Sequence, residues 1–114
     1  MKRRVVVTGL GLVTPVGNTV EQSWSALVAG TSGAARIQHF DASAFSTQFA
    51  CEVKGFDPLA VMDRKEAKRM DAFCHFAIAA TKEAMERAGL GEGFPAVERT
   101  GVLIGSGIGG MVMQ

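Results

Sequence analysis

Cysteine is scarce in this chain, and the two present stand apart. Cys51 and Cys74 form no C-x-x-C and no metal-type pairing. That spacing offers no metal site and fits a reduced, intracellular protein. Excess charge is also missing. A net charge of +1 argues against a general polyanion binder, so no nucleic-acid partner is expected. Long apolar runs are absent as well, since no stretch approaches the ~20 residues of a membrane span. Lys2, Arg3 and Arg4 before Val5-Val6-Val7 mimic the start of a signal peptide. Thr8, Gly9 and Gly11 interrupt that run, however, and no A-x-A site follows. The expected compartment is the cytoplasm. Neither an internal repeat nor a low-complexity tract is present.

What is present describes a globular domain. The 114 residues suffice for one domain with one core, and they are 47% apolar and 20% charged. Glycine stands out: there are 14, well above the usual ~7% of residues. They gather where strand-like runs end, which predicts turns and close backbone approach.

RRVVVTG at 3–9 and TGVLIG at 100–105 read as buried strands, because their apolar runs do not alternate. Asn18 with Glu21 resembles a capping box opening a helix near 19–29. Its apolar face would hold Val20, Trp24, Leu27 and Val28, with Gly30 as the C′ residue. An ordered loop at 31–47 leads to QFACEVK at 48–54, where Phe49, Cys51 and Val53 alternate with Ala50 and Glu52. Asp57-Pro58 predicts a short helical turn. A helical pattern near 64–88 starts at the Asp63/Glu66 pair and closes at Gly89. Asp71 is a candidate internal cap dividing it into a short basic helix and a long one. The order of elements predicts an α/β fold with parallel strands. The apolar ending Met111-Val112-Met113-Gln114 reads as a helix barely begun, so the chain is expected to be a fragment.

Gly105, Gly107 and Gly110 spell G-x-G-x-x-G, a dinucleotide-turn pattern. Against that reading, the motif comes last rather than first, and the acidic residue expected ~20 positions later has no place. Two other readings remain. Either the turn packs closely, or small residues clear a channel in which Ile108 stands. Composition leaves both open.

Arg64, Lys65, Lys68 and Arg69 follow an i, i+1, i+4, i+5 pattern that puts four cations on one helical face. Such a face is either simply solvated or a dock for an acidic partner. Cys74 and Cys51 read as small core residues. His75 cannot serve as a base for Cys74, because adjacent residues point to different sides of a helix. His39 lies in a loop. No catalytic constellation assembles from these residues.

RRVVVTGLGLVTPVGN at 3–18, HFDASAF at 39–45, DRKEAKRMDAF at 63–73 and GVLIGSGIGG at 101–110 together resemble the β-ketoacyl-[acyl-carrier-protein] synthases, in particular the type II elongating branch. The resemblance covers essentially the whole chain, residues 1–114, as an incomplete N-terminal synthase domain. It implies part of the N-terminal half of a thiolase-like five-layer αβαβα fold, usually homodimeric and without cofactor or metal. It implies a decarboxylative Claisen condensation, in which an acyl group passes from acyl-carrier protein to a cysteine thiolate. A malonyl thioester then loses CO₂, and the resulting carbanion attacks. The family's nucleophilic cysteine and both catalytic histidines fall beyond Gln114, so the chain alone is expected to be inactive. The resemblance assigns carrier-protein docking to Lys65, Lys68 and Arg69, and the mouth of the acyl pocket to Gly107 and Ile108. Two alternatives are a polyketide-type ketosynthase of the same fold and a non-catalytic module binding a nucleotide or an acidic protein.

Overall fold

A computed structural model describes residues 1–110 of the chain. It contains two compact units, one formed by residues 1–11 with those from Asp57 onward, the other by Leu12–Phe56.

In the Leu12–Phe56 unit, helix α1 spans Val20–Val28. Its cap lies one residue later than the sequence predicts. Thr19, in extended backbone, accepts from the Gln22 amide at 3.2 Å, and the Gln22 side chain reaches back to accept from the Asn18 amide at 2.9 Å. The capping box is therefore Thr19/Gln22 rather than Asn18/Glu21. Gly30, at φ 69°, closes the helix. Its amide donates to the Leu27 carbonyl at 3.0 Å, and that of Thr31 donates to Ala26 at 2.9 Å, which is a Schellman closure.

The packed side of α1 differs from the expected apolar stripe. Ser23 is fully buried, whereas Trp24, Leu27 and Val28 are exposed. The cause is a polar knot at the tight turn 14–17. The Thr14 and Ser23 hydroxyls lie 2.8 Å apart, and each also approaches the Gly17 carbonyl, at 3.2 and 3.1 Å. A Cβ on Gly17 would stand 2.5 Å from the Ser23 nitrogen, so only glycine admits the helix this close.

Two short strands pair antiparallel: β1 (Ala35–Arg36) and β2 (Phe49–Ala50), with Ala35 opposite Ala50 and Arg36 opposite Phe49. The stretch 31–47 thus contains a strand that the sequence reading places inside a loop. The inward face of 48–54 is also reversed in part, for Ala50 and Glu52 are half-buried while Phe49 and Cys51 are exposed. Between the strands, Asp41 accepts from the Ser43 amide at 3.0 Å, and Phe40 and Phe45 meet edge to face at 5.9 Å. Lys54 ties the unit together. Its ammonium donates to the carbonyls of Pro15, Gly33 and Glu52 at 3.3, 3.0 and 3.0 Å.

In the other unit, a 3₁₀ turn at Pro58–Ala60 precedes α2 (Arg64–Ala67) and α3 (Ala72–Arg87). Asp71 caps α3 and divides the two helices, accepting from the Ala72 amide at 2.8 Å. Gly89, at φ 72°, ends α3 in a second Schellman closure, with Gly89 donating to Glu86 at 3.1 Å and Leu90 to Met85 at 2.8 Å. Residues 9–11 lie directly on α3. A Cβ on Gly9 would sit 2.1 Å from the Ala84 carbonyl oxygen, and one on Gly11 would sit 1.8 Å from that of Ala80. The glycines that interrupt the first apolar run are therefore its packing surface.

The runs 3–9 and 100–105 carry no β-ladder among the described residues, contrary to the expectation of two buried strands. Val5 is 92% and Leu103 99% exposed. A strand exists only through its hydrogen-bonded neighbours, and none for these runs lies among the described residues. Met111–Gln114, read from sequence as the start of a helix, lie outside the described residues.

Candidate functional site

The basic segment is built by its aspartates. Asp57 accepts from the Leu59 amide at 2.9 Å and starts the 3₁₀ turn. Asp63 accepts from the amides of Lys65 and Glu66 at 2.7 and 2.9 Å and starts α2. The winding continues past the last α2 residue. Lys68 donates from its amide to Arg64 at 3.2 Å and Arg69 to Glu66 at 3.0 Å. Arg64 and Lys68 are thus stacked about one turn apart, whereas the bond of Arg69 reaches back three residues and tightens the end of the segment. All four are exposed, and among the described residues none of them forms an ion pair. The α-helix itself ends at Ala67, so Lys68 and Arg69 lie in the turn that follows it rather than on a continuous helical face.

Two side chains of α3 reach into this segment. His75 Nε2 lies 2.9 Å from the Ala67 carbonyl oxygen, at the last residue of α2. Since a carbonyl only accepts, this nitrogen carries the proton. Lys82 Nζ donates to the Val61 carbonyl, just past the 3₁₀ turn. Sequence reasoning missed both contacts. Their spacing of seven puts them on one face of α3, but nothing in the spacing shows that carbonyls lie opposite.

The glycine turn has its own strain. Ile108 takes φ 104°, a left-handed value rare for any β-branched residue, and it is 84% exposed. A Cβ on Gly109 would meet the Phe73 ring at 2.7 Å and Ser106 Oγ at 2.6 Å. Bare backbone at Gly109 therefore serves packing against α3. At Gly105 and Gly107 an added Cβ would meet nothing within 4 Å among the described residues.

Cys51 is exposed, which corrects its reading as a core residue, and Cys74 is half-buried on α3. His39 Nδ1 lies 3.4 Å from Glu52, and His75 is bonded to Ala67 as described. Glu52 also accepts from the amides of Gln38 and His39 at 2.9 and 3.2 Å. The Gln38 amide is the main cause holding its carboxyl below the ordinary 4.5. Desolvation opposes it, while the His39 amide and the charges of His39 and Lys54 add to it. Among the described residues no group of three or more His, Cys, Asp or Glu is placed to hold a metal ion.

A cleft of about 380 Å³ lies at the start of α1, lined by Pro15, Gly17, Asn18, Gln22 and Lys54 among others. Asn18 donates from Nδ2 to the Lys54 carbonyl at 3.0 Å, while its Oδ1 is buried and has no hydrogen-bond partner among the described residues. The three ammonium protons of Lys54 already face three carbonyls, leaving none directed at a ligand.

Comparison with known proteins decides the family. The description "Beta-ketoacyl synthase, N-terminal domain" matches residues 2–114. This chain belongs to that family. Among curated relatives of this β-ketoacyl synthase domain, 3-oxoacyl-[acyl-carrier-protein] synthase 2 of Vibrio cholerae serotype O1 is 56% identical over 110 residues, covering 96% of this chain and 27% of the relative. 3-oxoacyl-[acyl-carrier-protein] synthase I, chloroplastic, of Hordeum vulgare is 42% identical over 115 residues, covering 96% and 25%. The chain thus spans about a quarter of the length of the curated relatives it matches. A solved structure described as "The ishigamide ketosynthase/chain length factor" superposes with a TM-score of 0.72 at 38% identity, covering 79% of this chain and 22% of that one. The synthase domain therefore has a ketosynthase-like fold of the thiolase-like class. Among the described residues no helix is long and apolar enough to cross a membrane.

Proposed function

We propose that this chain supplies the N-terminal part of a fatty-acid elongating 3-oxoacyl-[acyl-carrier-protein] synthase, and that its share of the work is recognition rather than bond making. The observation that carries the reading is the face of Lys65, Lys68 and Arg69. It is exposed and, among the described residues, free of ion pairs, in a domain whose relatives are named for a carrier protein. Acidic carrier protein would meet this face, and cations so placed chiefly speed and orient encounter. The partners proposed for the complete protein are acyl-carrier protein, acyl and malonyl thioesters, and a second copy of itself. The complete fold is the five-layer αβαβα arrangement, and the compartment is the cytoplasm.

In the proposed reaction, a cysteine thiolate supplied by the complete enzyme takes the acyl group from the carrier thioester, releasing carrier thiol. The malonyl thioester loses CO₂, and its carbanion forms the new C–C bond as the enzyme thiolate leaves. Gly107 and Ile108 stand beside the acyl chain, where a methylene-scale difference is worth ~1–3 kcal/mol of selectivity. The test is the complete enzyme with acyl- and malonyl-carrier protein, read as 3-oxoacyl product two carbons longer. Ile108→Phe is expected to shift the product distribution to shorter chains. No extended product from the wild type overturns the activity, and an unchanged distribution removes Ile108 from the pocket.

A second reading, a polyketide-type ketosynthase, draws on the structural likeness to a ketosynthase/chain length factor. The 38% identity there stands against 56% to the elongating relative, which favours the elongating reading.

A further inference from the structure

The cationic segment is too short to hold its own shape. Its helical pieces have three and four residues, Pro58–Ala60 and Arg64–Ala67. Isolated helices shorter than about 12 residues are marginal in water, so a face built on four residues must be held from outside. Asp57 and Asp63 start its turns but do not fix the segment to anything beyond itself.

Two donors on α3 provide that attachment. His75 Nε2 bonds the Ala67 carbonyl at 2.9 Å, and Lys82 Nζ bonds the Val61 carbonyl. Val61 precedes α2 and Ala67 ends it, so the two contacts bracket Arg64 and Lys65. Seven residues, about two turns, separate the donors on one face of a 16-residue helix. Asp71 caps that helix at the corner where Arg69 leads into it. The Ala67 carbonyl belongs to the last turn of α2, where carbonyls lack helical partners, and among the described residues its backbone donor is the distant Met70 amide at 3.5 Å. The imidazole supplies the closer bond.

We propose that His75 and Lys82 are positioning residues that clamp the cationic segment to α3 and so preset the posture of Lys65, Lys68 and Arg69 for an acidic protein partner. Neither touches the partner. Each acts by limiting the orientations the segment adopts before encounter, which lowers the ordering cost of binding. This role rests on the docking reading above.

The test uses the complete enzyme and compares one acyl group presented on carrier protein with the same group on a carrier-free thioester. His75→Ala is expected to raise KM for the carrier-bound donor about threefold to tenfold, with kcat changed less than about twofold. His75→Gln retains a side-chain N–H donor and is expected to recover most of the loss. Lys82→Met is expected to act in the same direction, and the double variant to exceed either alone. An unchanged carrier-bound KM in His75→Ala overturns the role, as does an equal rise with both donors or a failure of His75→Gln to recover. If His75→Ala does not fold, the exposed Lys82→Met carries the same comparison, and an unchanged KM there overturns the clamp. Lys65→Glu separates the two levels. A raised carrier-bound KM in Lys65→Glu beside an unchanged one in His75→Ala defeats the clamp alone. An unchanged KM in Lys65→Glu defeats the docking reading and the clamp with it.

Discussion

Single residues decide where this backbone comes close to itself. Gly11 lies on α3 with no room for a Cβ, which would stand 1.8 Å from the Ala80 oxygen, and backbone cannot swing aside as a side-chain tip does. Gly91 differs, since its added Cβ would make only an ordinary 3.9 Å contact with Glu86. Gly11→Ala in the complete protein is therefore expected to lower stability by at least about 1–3 kcal/mol, the usual range for overpacking. Gly91→Ala is expected to be neutral or slightly stabilising. Thermal unfolding of the two variants side by side checks this, and equal midpoints would contradict the packing described. The excess of glycine is plain in the sequence, and so is the link to close approach. Which helix would lie against Gly9 and Gly11 is not, because nothing local to residue 11 encodes its distance from residue 80.

At the scale of elements, legibility follows the range of the interaction. Asp63, Asp71, Gly30 and Gly89 mark helix ends through bonds spanning one to five residues, and each stands where the sequence places it. The start of α1 shifts by one because Thr19 and Asn18 are both competent caps, and Gln22 selects between them. The runs 3–9 and 100–105 have strand composition, yet a ladder needs partners, and none lies among the described residues. Glu52 shows what a distant contact adds. Residues 13 and 14 positions away supply its donors, holding its carboxyl below the ordinary 4.5. A depressed folded value means that the stabilisation is present above the unfolded pKa and is lost as pH falls through the folded one. Glu52→Gln is expected to lower the unfolding midpoint at neutral pH and to flatten its decline below about pH 4.5. Parallel midpoint-against-pH curves for variant and wild type would contradict that role.

For the whole molecule, the near-zero net charge conceals a local asymmetry. The four cations between Arg64 and Arg69 are legible because they lie within six residues, and the Lys68–Arg64 bond stacks two of them. Their attachment through His75 and Lys82 is illegible because it joins separate elements. Under the docking proposed above, this exposed, braced segment is where an acidic carrier protein would meet the chain. Exposed pairing of this kind weakens with ionic strength, since the Debye length falls to ~8 Å near physiological salt. The most direct measurement is the KM of the complete enzyme for carrier-bound acyl donor after Lys65→Glu/Lys68→Glu, at low and at physiological salt. A rise of tenfold or more at low salt, shrinking as salt is added, is the expected result. A KM equal to that of the wild type at low salt would contradict the docking role at the centre of this account.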